Sequence, residues 1–376
     1  MREAAPPSPP TRLARTSSLV LLQPTPLCNL DCSYCYLPSR ELARVMSPDV
    51  ADAVAHTVEV WSAHHPVTVL WHGGEPLATG LPRLTALLDR FPPGRGHPVR
   101  HAVQTNGTLL DDAWCRLFVE RGIEVSVSID GPGPGARADR GGHDTTGRAL
   151  RGIALLREHG IPFGAVTVVS DPCPRRAVEL HRWFSGLGCR TLGVNLVERK
   201  GVNVRSIADE ADPAGFWAAL AACGRADPRM ALRDVEHALR YVRAEVAGVA
   251  QRLAGQPVDP LPMITWDGQV VPVSPDLAGF TSPRLGAFTV GDVRDVGLAG
   301  CLARAERVPW VAEALAGIDA CRAGCALFAY CRGGQAANKY FETGRLDATE
   351  TAFCRSSRKL LMEGLIHDAE RVTLDT

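Results

Sequence analysis

Six short runs of β-branched and aliphatic residues, each followed by a helical stretch, fill roughly the first half of this 376-residue chain. The runs at 18–23, 67–73, 99–105, 124–130, 163–169 and 190–196 read as strands. Between them the spacing predicts helices over 81–90, 111–121, 146–159 and 175–187. Another helix opens at Ser47-Pro48-Asp49, where the Ser47 side chain suits a cap and Pro48 the first helical position. Strand–helix alternation of this kind implies a parallel sheet with right-handed crossovers. Six such units suit an open doubly wound sheet or an incomplete β/α barrel, and either gathers ligands at the carboxyl ends of its strands.

Four consecutive strands deliver polar or glycine-rich loops to that rim. A cysteine loop follows the first, Gly73-Gly74-Glu75-Pro76 the second, Gln104-Thr105-Asn106-Gly107 the third and Ser128-Ile129-Asp130-Gly131 the fourth. Singly, each has an ordinary turn composition. Jointly they describe one lined cavity.

The cysteine loop, Pro26-Leu27-Cys28-Asn29-Leu30-Asp31-Cys32-Ser33-Tyr34-Cys35, has the spacing C-x3-C-x2-C. Residues 1–17 lack the apolar core of a signal peptide and read as a disordered tail. No apolar run approaches the ~20 residues of a membrane helix. The chain is therefore expected in the cytoplasm, where metal ligation is the default for its 12 cysteines. Three thiolates in a tight loop can hold three corners of a cubane cluster and leave one iron open, whereas a closed zinc site takes four protein ligands.

Placed after the first strand and with Tyr34 before the last Cys, this motif resembles the radical S-adenosylmethionine (radical SAM) superfamily, over residues 19 to about 198. The resemblance implies a partial (β/α)6 barrel and a 4Fe–4S cluster on Cys28, Cys32 and Cys35 whose open iron binds S-adenosyl-L-methionine. Reductive cleavage of that cofactor gives a 5′-deoxyadenosyl radical that takes hydrogen from an unreactive carbon. It further implies that Gly73, Gly74 and Glu75 hold the methionine ammonium, and that Gln104 and Asn106 face the cofactor. Ser128 would lie near the ribose and carboxylate, Arg140 would pair with the carboxylate, and Tyr34 would sit by the adenine.

From Leu261 onward the alternation stops. Trp266-Asp267-Gly268-Gln269 reads as a small hairpin turn. Cys321, Cys325 and Cys331 follow as C-x3-C-x5-C-R-G-G, with Cys354 closing a fully ligated set that fits zinc or iron–sulfur. The segment resembles the SPASM extension of peptide-modifying radical enzymes, which favours iron–sulfur. A full extension holds two auxiliary clusters, but Val273 and Gln335 stand where further cysteines are usual, so one auxiliary 4Fe–4S cluster is expected. Cys301 reads as a helix-packing residue, and Cys115, Cys173, Cys189 and Cys223 as small core residues or incidental thiols.

The domain plan is then a tail (1–17), the barrel (18–205), a helical bridge (206–260) and a small α+β SPASM-like domain (261–376). Forty-one basic residues balance 41 acidic ones, so composition argues against a nucleic-acid or anionic-membrane partner. The stretch Asn195-Leu196-Val197-Glu198-Arg199-Lys200-Gly201-Val202-Asn203 resembles one found in cyclophane-forming peptide maturases. That likeness implies a ribosomal precursor peptide as substrate, a crosslink from an aromatic ring to a β-carbon, and a flavodoxin- or ferredoxin-like electron donor. Asp276 is the candidate base for the proton the ring must lose, placed on one face of an extended strand with Ser274. The alternatives are sulfatase formylglycine formation, a thioether crosslink, or a non-enzymatic iron–sulfur electron carrier or redox sensor.

Overall fold

The computed structural model describes residues 12–133 and 137–374. Its first six strands are β1 (Leu19–Leu22), β2 (Val67–Trp71), β3 (Val99–Thr105), β4 (Glu124–Ser128), β5 (Phe163–Val169) and β6 (Thr191–Leu196). All pair in parallel and in sequence order. The crossovers are α1 (Pro48–Trp61), α2 (Leu81–Leu88), α3 (Asp112–Arg121), α4 (Thr146–Glu158) and α5 (Pro174–Gly186). Side chains alternate between the two faces of a strand. In β5, Phe163, Ala165, Thr167 and Val169 are buried, while Val166 and Val168 face a cavity. Leu19 and Leu21 of β1, Leu70 of β2, Gln104 of β3, Ser128 of β4 and Asn195 of β6 line that same cavity. Convergence of one face from six strands makes the sheet a partial barrel, as the radical SAM resemblance implied, where strand periodicity alone left an open sheet equally possible.

The sheet grows beyond these six strands at both edges. A two-residue β7 (Ala231–Leu232) pairs with β6, and β8 (Met263–Ile264) pairs in parallel with β1. β9 (Val270–Val271) returns antiparallel across the expected Asp267-Gly268 turn. The hairpin expected in a separate small domain thus continues the barrel sheet. The stretch expected as wholly helical is interrupted by β7, between α6 (Pro213–Ala226) and α7 (Arg233–Val246). α8 (Ala250–Ala254) follows.

The C-terminal part grips the barrel on two sides. It comprises α9 (Val293–Arg304), α10 (Pro309–Gly324), α11 (Phe328–Cys331), α12 (Ala336–Thr343), α13 (Ala352–Cys354) and α14 (Leu360–Leu374). α9 packs on α1, with Arg294 3.5 Å from Asp49. α14 packs on α6, where Asp368 pairs with Arg225 and the carbonyl of Ser356 accepts from Trp217 Nε1 at 2.9 Å. Among the described residues no helix is long and apolar enough to cross a membrane.

Two local expectations need correction. Ser47 occupies the cap position of α1, but its side chain caps no amide; its carbonyl accepts from Val50 N at 3.2 Å instead. The expected tail lies partly outside the described residues, yet from Arg12 the chain is docked. Leu13 is 2% exposed, its amide donates to Glu306 Oε1 at 2.9 Å, and Ala14 N donates to Val258 O. One buried leucine with satisfied backbone partners is enough to order a segment whose composition reads as tail.

α4 reaches the rim through a glycine. A Cβ on Gly152 would stand 2.1 Å from the carbonyl oxygen of Gly107, whereas a Cβ on Gly147 in the same helix meets nothing within 4 Å. Gly152→Ala should therefore cost about 1–3 kcal/mol by overpacking, and Gly147→Ala should be at least as stable as the parent. Thermal unfolding of both variants checks this, and equal midpoints would contradict the close packing of α4 on the rim.

Candidate functional site

The barrel cavity, of about 440 Å³, opens beside Cys28, Cys32 and Cys35, all three of which line it. The cysteine loop is held by its backbone. Cys28 N donates to Arg40 O at 2.9 Å, Asp31 N to Ala138 O at 2.7 Å, and Cys35 N to Cys32 O at 3.0 Å. Gly74 lies against the start of this loop with φ +65°, and a Cβ there would stand 2.4 Å from Thr25 O. Glycine is required on both counts. Burial and the Glu75 carboxylate push the Cys28 thiol up to about 12, and burial pushes Cys32 up to about 11 despite the nearby Arg137.

Glu75 is 1% exposed. Its Oε1 accepts from Leu77 N at 3.0 Å and Thr105 Oγ1 at 2.7 Å, and its Oε2 from Asn106 N at 2.7 Å. A carboxylate offers about four lone-pair sites, so one on Oε2 stays open in the cavity wall. Burial raises the Glu75 pKa, and the three donors act against that rise. Asn106 turns its side chain to the cysteine loop, donating to Asn29 Oδ1 at 2.9 Å. Gln104 Nε2 donates to Ser128 Oγ at 2.8 Å across β3 and β4, and both side chains line the cavity. Tyr34 lines it too, its hydroxyl donating to Asp130 Oδ2 at 2.6 Å.

Arg140 does not enter the cavity. It is exposed and donates to the carbonyls of Cys28 at 3.0 Å and Arg40 at 2.6 Å, bracing the cysteine loop from outside. Among the described residues Arg137 and Arg233 line the cavity, and the one beside the cysteine loop, Arg137, was missed by sequence reasoning. Its Nε lies 3.1 Å from Asp130 Oδ1, and its guanidinium sits 5.4 Å from the centre of the Tyr34 ring. Burial works against its charge, but Tyr34, Asp130 and Cys32 outweigh that and hold its pKa above the ordinary arginine value. The signal available in the sequence was Asp130 in the fourth rim loop, a carboxylate that needs a cation once buried.

The cavity lining carries a second polar group. Lys200 Nζ lies 2.9 Å from Glu198 Oε1 and 3.4 Å from Asp276 Oδ2, and 4.8 Å from the centre of the Tyr36 ring. Burial opposes its charge, yet Asp276 and Glu198 raise its pKa. The Tyr36 hydroxyl is 3.3 Å from His72 Nε2, and burial lowers the His72 pKa. Asp276 thus lines the cavity as expected, though not by strand parity: Ser274 has φ +52° and Pro275–Leu277 form a 3-10 turn.

Cys321, Cys325, Cys331 and Cys354 line a second cavity of about 270 Å³. After Cys331 the chain turns through three left-handed residues, Arg332, Gly333 and Gly334, which accounts for the C-R-G-G sequence. Gln335 lines both cavities, and Asn338 of the second donates through Nδ2 to Glu198 Oε2 of the first. Val273 and Cys301 are buried in the core, with Cys301 Sγ 3.6 Å from Asp292 O. Among the described residues no three His, Cys, Asp or Glu side chains close on a single ion. Four cysteines lining one cavity fit a cubane held corner by corner, each thiolate on a different iron, and by ligand count they also fit zinc.

Residues 22–172 match the model of the Radical SAM superfamily. An uncharacterised protein of Synechocystis is 27% identical over 90% of this chain and 88% of its own length. The serine-type anaerobic sulfatase-maturating enzyme of Klebsiella aerogenes is 34% identical, over 50% of this chain and 48% of its own length, so that match spans about half of each protein. Among solved structures, native anSMEcpe with bound AdoMet superposes with a TM-score of 0.70 at 20% identity, covering 95% of this chain and all of that one. Streptococcus suis SuiB bound to precursor peptide SuiA gives 0.56 at 15% identity, over 90% of this chain and 76% of that one. At such identities the superpositions establish the fold.

The two arginines separate in stability. Arg137→Leu leaves Asp130, 8% exposed, without its cation, a loss of about 3–5 kcal/mol. Arg140→Leu removes an exposed donor, at about 1 kcal/mol. Thermal unfolding of the metal-free protein measures both, and the reverse order would contradict the assignment of Arg137 to the buried site.

Proposed function

We infer that this chain, whose residues 22–172 form a radical SAM domain, modifies peptides by joining an aromatic ring of a ribosomally made precursor to the β-carbon of a nearby residue. The observation that carries the reading is the pair of cysteine cavities sharing Gln335, with a polar cluster on the wall between them. One auxiliary cysteine set, rather than two, argues for crosslinking over the sulfatase-type reaction.

A 4Fe–4S cluster with bound S-adenosyl-L-methionine supplies a primary carbon radical that takes hydrogen from an unactivated carbon. Cys28, Cys32 and Cys35 would hold three corners of that cluster, and Glu75 Oε2 offers its open lone pair to the cofactor ammonium, a charge-assisted bond. Gln104 and Ser128 present polar atoms on the same wall, while Leu21, Leu70 and Val166 keep the floor apolar. The substrate then lies between this wall and Asp276. Loss of a β-hydrogen atom, followed by ring addition, leaves one proton and one electron to remove. Asp276 Oδ2, 3.4 Å from Lys200 Nζ, takes the proton, and the electron would pass to an iron–sulfur cluster held by Cys321, Cys325, Cys331 and Cys354. Proximity decides which ring carbon reacts, so a cavity that excludes water and holds the two side chains together supplies the selectivity.

Sulfatase maturation is the second reading, favoured by the likeness to the Klebsiella enzyme. Both reactions on a serine or aromatic substrate remove two hydrogens, but only formylglycine is an aldehyde.

Incubation of the reconstituted chain with a cognate peptide, cofactor and reductant tests the proposal. The product should be lighter by two hydrogens, resist aldehyde-reactive hydrazide and stay joined under fragmentation; a hydrazide-reactive product would move the assignment to the second reading. Replacing Cys28, Cys32 and Cys35 together by Ala should abolish 5′-deoxyadenosine and lower the iron content from about eight to about four per chain. Persistent cofactor cleavage would overturn the site. Asp276→Asn should keep cofactor cleavage and lose at least tenfold in crosslinked product, and undiminished crosslinking would remove Asp276 from the mechanism.

A further inference from the structure

Lys339 is 3% exposed, lies in α12 and lines the four-cysteine cavity. Its Nζ stands 3.6 Å from Cys321 Sγ, and among the described residues no carboxylate lies within ion-pair distance of it. Taking an unpaired ammonium out of water costs several kcal/mol, so a buried lysine normally faces an anion.

The other cations around this cavity have such partners. Lys359 Nζ is 2.6 Å from Glu350 Oε2, and Arg358 lies 4.0 Å from Asp234 and 5.4 Å from the centre of the Phe353 ring. Cys321 Sγ lies against Lys339 Nζ at 3.6 Å, and cysteine sulfurs ionised around an occupant of the cavity would supply its counter-charge. A cubane on four thiolates is anionic and gains a further negative charge when reduced. The potential of such a cluster depends on nearby charge, hydrogen bonds to its sulfurs and solvent exposure. Lys339 supplies the first two.

We propose that Lys339 sets the reduction potential of an auxiliary cluster in this cavity, its ammonium stabilising the reduced, more negative state. The proposal rests on the reading of Cys321, Cys325, Cys331 and Cys354 as one iron–sulfur site. The same turn of α12 carries Asn338, the donor to Glu198 in the barrel cavity. The residue that tunes the cluster is therefore adjacent to the one that ties the two cavities together.

The test uses the full chain with Cys28, Cys32 and Cys35 replaced by Ala, so that only the auxiliary site can hold iron. In that background the parent, Lys339→Met, Lys339→Gln and Lys339→Arg are reconstituted anaerobically and titrated potentiometrically, with the reduced cluster followed by electron paramagnetic resonance. All four should hold about four irons. The Met and Gln variants should reduce at least tenfold less favourably, which is 59 mV for a one-electron couple, and the Arg variant should stay near the parent. A neutral variant with full iron and an unmoved potential overturns the role of Lys339 while leaving the cluster site intact. Loss of iron from both neutral variants would make Lys339 an assembly requirement and equally overturn the potential-setting role. A parent that holds no iron overturns the cluster site itself.

Discussion

The carboxylate of Glu75 ties the loop after β2 to the end of β3, accepting from Leu77 N, Thr105 Oγ1 and Asn106 N. Hydrogen bonds to a charged group contribute about 1.5–3 kcal/mol each, and three of them oppose, without cancelling, the burial that raises the Glu75 pKa. The consequences run outward along the rim. Asn106, fixed through its amide, turns its side chain to Asn29, and Asn29 Nδ2 reaches Thr108 Oγ1 at 2.9 Å. The cysteine loop is thereby set against the third strand, while the Glu75 amide donates to Leu27 O at 2.8 Å and fixes its other end. A single buried acid thus aligns three rim loops and still keeps one acceptor site facing the cavity.

The C-terminal part completes the cavity rather than standing apart from it. β8 extends the barrel sheet beside β1, so the turn that follows β9 carries Asp276 to the cavity wall. Lys200, from the loop after β6, meets Asp276 there. Glu198 from the same loop is bound by Asn338, next in sequence to Lys339 in the four-cysteine cavity. Asp276 and the four-cysteine cavity are therefore joined by a short path of polar side chains, an arrangement that suits the proposed oxidation, which releases one proton and one electron.

What was legible in the sequence follows from the range of the forces involved. The six barrel strands were readable because each carries a run of β-branched or aliphatic residues bounded by turn residues, and each agrees with the structure to within about two residues at either end. β7, β8 and β9 have two residues each, too few to show a period, and their pairing with distant strands is decided by packing. The rim loops were readable as a set because parallel topology sends consecutive carboxyl ends to one side. Arg140 was named on motif position alone, and a three-residue difference decides whether an arginine reaches Asp130 inside the barrel or two carbonyls outside it. Asp276 reached the cavity through a turn rather than along a strand. Lys339 gave no local signal, since its partner Cys321 is 18 residues away and is brought near by the turn through Arg332, Gly333 and Gly334.

The central claim is that one chain holds two separate iron–sulfur sites, one in the barrel mouth and one in the C-terminal cavity. Anomalous diffraction from anaerobic crystals of the reconstituted protein, collected on both sides of the iron and zinc absorption edges, tests this most directly. The account predicts two iron peaks, one against Cys28, Cys32 and Cys35, the other among Cys321, Cys325, Cys331 and Cys354. A zinc peak in the second cavity, or iron in the barrel mouth alone, would contradict it.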